Sequence, residues 1–187
     1  MLPFFFHEHS FTERLEFVSK NPYNIGFDYM SLNDEKDVIE KYPDLRATPL
    51  CDVTFHFQSK ETADFLQDVE IMDSQPRTEP IPVVLFNKSA ELSQNFLQKL
   101  LDKKIVKCVF ETTTPKLYYM YISEGLAATI VPKLGPYKYL SSLPTEDYIY
   151  TPIVSEQKNA LYFFSHKDIP MQLYMYILNR LEKSLNH

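Results

Sequence analysis

A chain of 187 residues has room for one domain or two small lobes. With 44% apolar and 24% charged residues it is an ordinary globular sequence, not a disordered, fibrous or disulfide-built one. The formal charge is −6 and no basic cluster exceeds Lys103-Lys104, so the chain lacks the dense Lys/Arg contacts needed to grip nucleic acid by itself.

Further exclusions follow from single residue types. Only three glycines occur, Gly26, Gly125 and Gly135. No two are closely spaced, which excludes a glycine-rich phosphate loop. The start, Met1-Leu-Pro-Phe-Phe-Phe6, has no positive n-region and is too short for a signal core. No apolar run approaches membrane-spanning length, so a cytoplasmic protein without a membrane partner is expected. Cys51 and Cys108 each sit in an apolar, strand-like run. Buried free thiols are expected there, with a disulfide left open.

Phe4 to Phe6 reads as a short strand. Ser10 is placed to cap a helix whose inner positions are Phe11, Leu15 and Val18, and Asn21-Pro22 stops it. Tyr23 to Tyr29 follows as a strand. Ser31 to Lys41 is acidic and polar, the pattern of a surface loop or solvated turn. Cys51, Val53, Phe55 and Phe57 alternate with Asp52, Thr54, His56 and Gln58, the period of two that marks a strand. That alternation places His56 toward solvent or a cleft rim. Ser59 to Pro80 breaks the pattern, and Asp73 to Pro80 is its most linker-like piece.

From Pro82 the punctuation is sharper. Pro82 to Phe86 is a buried strand. Asn87-Lys-Ser89 then caps a helix carrying Leu92, Phe96, Leu97, Leu100 and Leu101 on one face. Ile105 to Glu111 is a strand. Thr112 to Thr114 form the cap of the next helix, with Pro115 at its first position and Gly125 as its left-handed stop. Leu126 to Val131 is a strand closed by Pro132. The run from Pro82 to Val131 is therefore β-α-β-α-β, which points to a parallel sheet wrapped by helices. Leu134 to Asp147 reads as a loop, and Tyr148 to Val154 and Ala160 to His166 as strands. Asp168 caps a last helix near Pro170, with Tyr174, Ile177, Leu178, Leu181 and Leu185 inside.

The order of these elements, with several motifs, resembles the effector-binding domain of LysR-type transcriptional regulators. Tyr23-Asn-Ile-Gly-Phe27 resembles an early strand of that family, and Pro49 to Phe57 its strand leaving the first lobe. Glu124-Gly-Leu-Ala-Ala-Thr-Ile-Val-Pro132 resembles its glycine signature, with Ala127 where a second glycine is usual and Asn24 where aspartate is. Ala160 to His166 and the last helix resemble the return to the first lobe. The resemblance implies an α/β, two-lobed type 2 periplasmic-binding-protein-like fold, with mixed, mostly parallel sheets and helices on both faces. Lobe I would be 1–57 and 155–187, and lobe II 58–154. The family's winged helix-turn-helix is not recognisable in the sequence, so DNA would be reached only through a DNA-binding domain that the sequence does not contain.

Function follows from that resemblance as an expectation. The chain would sense a small, anionic effector between its lobes, as a homodimer, without catalysis or cofactor. The same fold also serves free-standing solute-binding proteins, and enzymes such as deaminase or dehydratase relatives. Effector contacts are expected at helix starts and strand ends, where free N–H groups and hydroxyls meet an anion. Those positions are Ser10, Thr12, Tyr29, Asn87, Ser89, Thr112, Thr113 and His166. The plainer reading of the Ser and Thr residues is helix capping. His7 and His9 could pair on a metal, but no third ligand is placed, so no metal site is assigned. No G-x-S-x-G or positioned acid/base pair indicates a catalytic centre.

Overall fold

The structure, a computed structural model, describes residues 10–86, 94–134, 138–139 and 147–185. The expectations for Phe4–Phe6, His7 and His9, the 87–89 cap and Leu92 lie outside the described residues.

Helix α1 (Phe11–Ser19) begins where the sequence places it, at Ser10. The Ser10 hydroxyl accepts the Glu13 N–H, and the Glu13 carboxylate accepts the Ser10 N–H, a closed capping box. Strand β1 (Ile25–Ser31) follows, then helix α2 (Glu35–Lys41). This helix corrects the loop expected over Ser31 to Lys41. Val38 is buried, Ile39 packs on the same cluster, and acids at the start and Lys41 at the end suit the helix dipole. Strand β2 (Leu45–Lys60) runs 16 residues. Its first part, Leu45 to Val53, pairs with β9 (Asn159–His166), and its second part lies between β6 (Thr129–Leu134) and β8 (Tyr148–Val154). Short strands β3 (Ile71–Met72) and β7 (Lys138–Tyr139) extend this sheet at β8 and β6.

The predicted β-α-β-α-β run is present. Strand β4 (Ile81–Phe86) pairs in parallel with β5 (Val106–Thr112), and Val83 bridges in parallel to Ala128 just before β6. Helices α3 (Gln94–Asp102) and α4 (Pro115–Ser123) are the connections. The sheets are mixed, but the expected parallel majority is not what forms. Among the described strands five pairings are antiparallel and two parallel. Strands β2 and β9 are antiparallel to every strand they pair with, and the two parallel pairings are β4 with β5, joined through α3, and β3 with β8. Pro132 does not close β6, which continues to Leu134 with Pro132 opposite Phe55. Gly125 does stop α4, at φ 68°, where an L side chain is strained.

Helices cover both faces of the sheets. Phe55 and Phe57 point to one side, with Ile81, Val83 and Leu85 of β4 and Phe96, Leu97 and Leu100 of α3. On the other side Val84 packs with Ile122 and Ala127 under α4. In the remaining part of the molecule, Tyr162 and Phe164 of β9 bury against α1 and α2. Phe163 turns the opposite way, against Tyr174 and the inner face of α5 (Met171–Leu185). Each such fully buried side chain contributes roughly 1.5–3 kcal/mol.

Three local expectations need correction. His56 is 6% exposed rather than facing solvent, with its Nε2 3.1 Å from Thr54 Oγ1. Asp168 does not cap α5. Its backbone N–H donates to His166 Nδ1, and the Pro170 carbonyl accepts the helix's first bond, from Tyr174. Both cysteines are free, as expected, but Cys51 is only half-buried and Cys108 is exposed.

Candidate functional site

A cavity of about 370 Å³ lies where α1, β1 and α2 face α3. Helix α1 contributes Phe11, Thr12 and Leu15, and β1 contributes Tyr29, Met30 and Ser31. Helix α2 and its flanks present Asp34, Asp37, Val38, Lys41 and Tyr42, the spacing of three and four that puts residues on one helical face. Helix α3 supplies Phe96 and Lys99, and the turn into β9 adds Gln157 and Asn159.

Long-range polar contacts fix these walls. Arg14 of α1 pairs with the buried Asp28 of β1, its Nε 2.8 Å from Oδ2. Burial nevertheless pushes the Asp28 carboxyl above its ordinary value, the guanidinium offsetting only part of the effect. The Tyr162 hydroxyl donates to Glu35 at 2.8 Å and ties the start of α2 to β9. Tyr29 meets Phe55 edge to face at 5.9 Å. Burial first, then the charge of Asp28 and the nearby Cys51, push its phenol up to about 12, so it stays protonated at neutral pH.

The charges in the wall are unequally engaged. Lys99 Nζ donates to Asp73 Oδ2 at 2.6 Å, and Ser155 Oγ donates to the same oxygen at 2.6 Å. Asp73 is fully buried, and its Oδ1 has no hydrogen-bond partner among the described residues. Taking Lys99 away would strand this carboxylate. Breaking such a pair costs about 3 kcal/mol, the low end of the usual range because Lys99 is partly exposed. Lys41 Nζ lies 5.3 Å from the centre of the Tyr42 ring. The Asp34 and Asp37 carboxylates, in contrast, have no partner among the described residues. Burial and the charge of Asp37 hold the Asp34 carboxyl above its ordinary value. Tyr42 Oη is buried without a partner. Ser31 is buried, and its Oγ accepts the Asn33 N–H, which leaves its proton to donate.

Of the residues expected to touch an effector, the structure brings Thr12 and Tyr29 together in this cavity. Ser10 is occupied by its capping box. Thr112 is buried, and its Oγ1 accepts the Thr114 N–H at 2.9 Å, while Thr113 is exposed. His166 accepts from the Asp168 backbone at the end of β9. None of these four lines the cavity. Asn87 and Ser89 lie outside the described residues. Sequence reasoning missed Asp34, Asp37, Lys41 and Tyr42, whose helical spacing was the available signal, and it missed Asp73 and Lys99 altogether. No group of three or more His, Cys, Asp or Glu is placed to hold a metal among the described residues. Likewise, no described helix is long and apolar enough to cross a membrane.

Neither a protein-family model nor a curated protein matches the sequence. Solved structures do match in fold. HinK, a LysR family transcriptional regulator from Pseudomonas aeruginosa, superposes with a TM-score of 0.56 at 11% identity, over 93% of this chain and 58% of that one. The reduced OxyR regulatory domain of the same organism gives 0.56 at 11% identity, over 91% and 76%. The effector-binding domain of QuiR, solved in complex with shikimate, gives 0.55 at 16% identity, over 94% and 76%. The chain thus spans 58% of the length of a full regulator such as HinK and three quarters of the isolated domains. HinK is thus a transcriptional regulator, and the OxyR and QuiR matches are a regulatory domain and an effector-binding domain. The chain has the mixed α/β, type 2 periplasmic-binding-protein-like fold of LysR-type effector-binding domains.

Proposed function

We propose that this chain is a small-molecule-sensing regulatory domain of the LysR type, without catalysis of its own. The carrying observation is the cavity between α1, β1 and α2 on one side and α3 on the other. In the two-lobe division, 1–57 with 155–187 against 58–154, its walls come from both lobes: Phe96 and Lys99 from the second, the rest from the first. An effector held there contacts both, so its binding free energy depends on their relative position and biases it. That bias would reach DNA through an attached or partner DNA-binding unit, in a homodimer. The presence of ligand in the related QuiR domain supports the reading. The sign expected for the effector, anionic, is not supported by the wall, where the carboxylates are the unengaged groups.

The test is a metabolite screen by thermal shift, with hits mapped by backbone amide NMR. Effectors are expected to perturb Thr12, Tyr29 and Lys99. Thr12→Arg, at an exposed position on the rim, is expected to block them without unfolding the protein. Hits that perturb none of the three residues and survive Thr12→Arg would refute the cavity as the sensing site.

A further inference from the structure

We infer that this cavity selects a small organic cation, an ammonium group on an apolar body, and that Asp73 sets this preference from behind the wall. The inference rests on the effector cavity proposed above and names the chemistry of its ligand.

Two lysines reach the wall, and the charge of one, Lys99, is matched by a buried partner. Lys99 is bonded to Asp73, a carboxylate with no exposed surface whose other donor is Ser155. Lys41 sits over the Tyr42 ring. An anion entering the cavity meets a Lys99 whose charge the buried Asp73 carboxylate already offsets, and drawing Lys99 off would strand a carboxylate that lacks a partner on Oδ1. Two carboxylates reach the same wall from one face of α2, and neither is engaged among the described residues. An ammonium group therefore meets two open acceptors. Leu15, Met30, Val38 and the Phe11 and Phe96 rings supply the apolar surface, and aromatic faces attract a cation further. The raised Asp34 carboxyl is consistent with a wall whose negative charge is not neutralised from within. Asp73 is thus a positioning residue: it touches no ligand, yet it withdraws the Lys99 charge from the cavity.

Matched probes of one shape and opposite charge test this. 2-Phenylethylamine and 3-phenylpropionate, with butylamine and pentanoate as a smaller pair, would be titrated into the protein and followed by amide NMR. Each amine is expected to perturb Thr12, Asp34 and Lys99 and to bind at least about tenfold tighter than its carboxylate. Asp34→Asn with Asp37→Asn, at half-buried and exposed positions, should lower amine affinity about tenfold and leave carboxylate binding unchanged or improved. Asp73→Asn should free Lys99 and move the preference toward the carboxylate. If that variant does not fold, the Asp34/Asp37 pair decides alone. Tighter carboxylate binding in the cavity would overturn the cation reading and leave the effector cavity standing. Amine binding indifferent to Asp34 and Asp37 would overturn it too. No perturbation of the cavity by any probe would count against the cavity as a ligand site, and the cation reading would fall with it.

Discussion

Lys99→Met is the most direct perturbation of the node behind the cavity. The Asp73 side chain is 1% exposed and that of Lys99 is 27% exposed. Methionine keeps the length and apolar stem of lysine but removes the charge and the 2.6 Å bond. Asp73 would then keep Ser155 as its one side-chain donor, against a desolvated charge. Losing one partner of a buried pair costs about 3–5 kcal/mol, and the partial exposure of Lys99 puts this case at about 3 kcal/mol. For a chain of this size that is a fall of roughly 6–12 °C in Tm. The double variant Lys99→Met with Asp73→Asn removes both charges. It should recover a large part of the loss, so the two substitutions couple by about 1–3 kcal/mol. Urea denaturation of the wild type, both single variants and the double variant closes the cycle. A Lys99→Met cost below about 0.5 kcal/mol, or strict additivity in the cycle, would refute the view that Asp73 depends on Lys99.

Three further outcomes follow from single groups. Gly125→Ala places a Cβ in ordinary van der Waals contact with Lys60, 3.9 Å away, but at φ 68°, so backbone strain should cost about 1 kcal/mol in urea denaturation. Burial, then the charge of Lys133, lowers the His56 pKa below 6.5. Its contribution is present above the unfolded value and lost as pH falls through the folded one, so His56→Gln should flatten the decline in stability as pH falls below about 6.5. Asp34 has the opposite sign: its raised pKa gives a contribution present below the unfolded value and lost as pH rises through the folded value. Asp34→Asn should remove that loss, read as a urea midpoint higher than wild type at neutral pH and converging with it in acid.

Much of the architecture was legible because it rests on local pattern. The Ser10-to-Glu13 capping box, the alternation through Val53 to Phe57, and the Pro115 start and Gly125 stop of α4 are each specified within a few residues, and each is where the sequence put it. Patterns that depend on a partner were misread. The alternation through His56 was right, but exposure did not follow from it, since a sheet covered on both faces buries both sets of side chains. Pro132 reads as a stop only if its strand needs every N–H. In β6 it lies opposite Phe55, and the pairing continues past it.

The charged wall of the cavity escaped for a related reason. Helix α2 has seven residues, too few to be stable alone, and only Val38 and Ile39 are apolar on it. What holds it is remote: Val38 packs with Leu15 and Tyr162, and Glu35 accepts from Tyr162, 127 positions along the chain. A local reading sees an acidic loop and so misses that Asp34, Asp37, Lys41 and Tyr42 share one face. Asp73 is the sharper case. Its neighbours Ser74, Gln75, Pro76 and Arg77 have linker composition, yet it is fully buried because Lys99 and Ser155, 26 and 82 positions away, meet it. Hydropathy averaged along a segment cannot report the burial of one charge, since only a tertiary partner makes that burial tolerable. The expectation of an anionic ligand came from threonines at a helix start. The case for a cation comes from which charges are already matched, and that is decided only when distant residues meet.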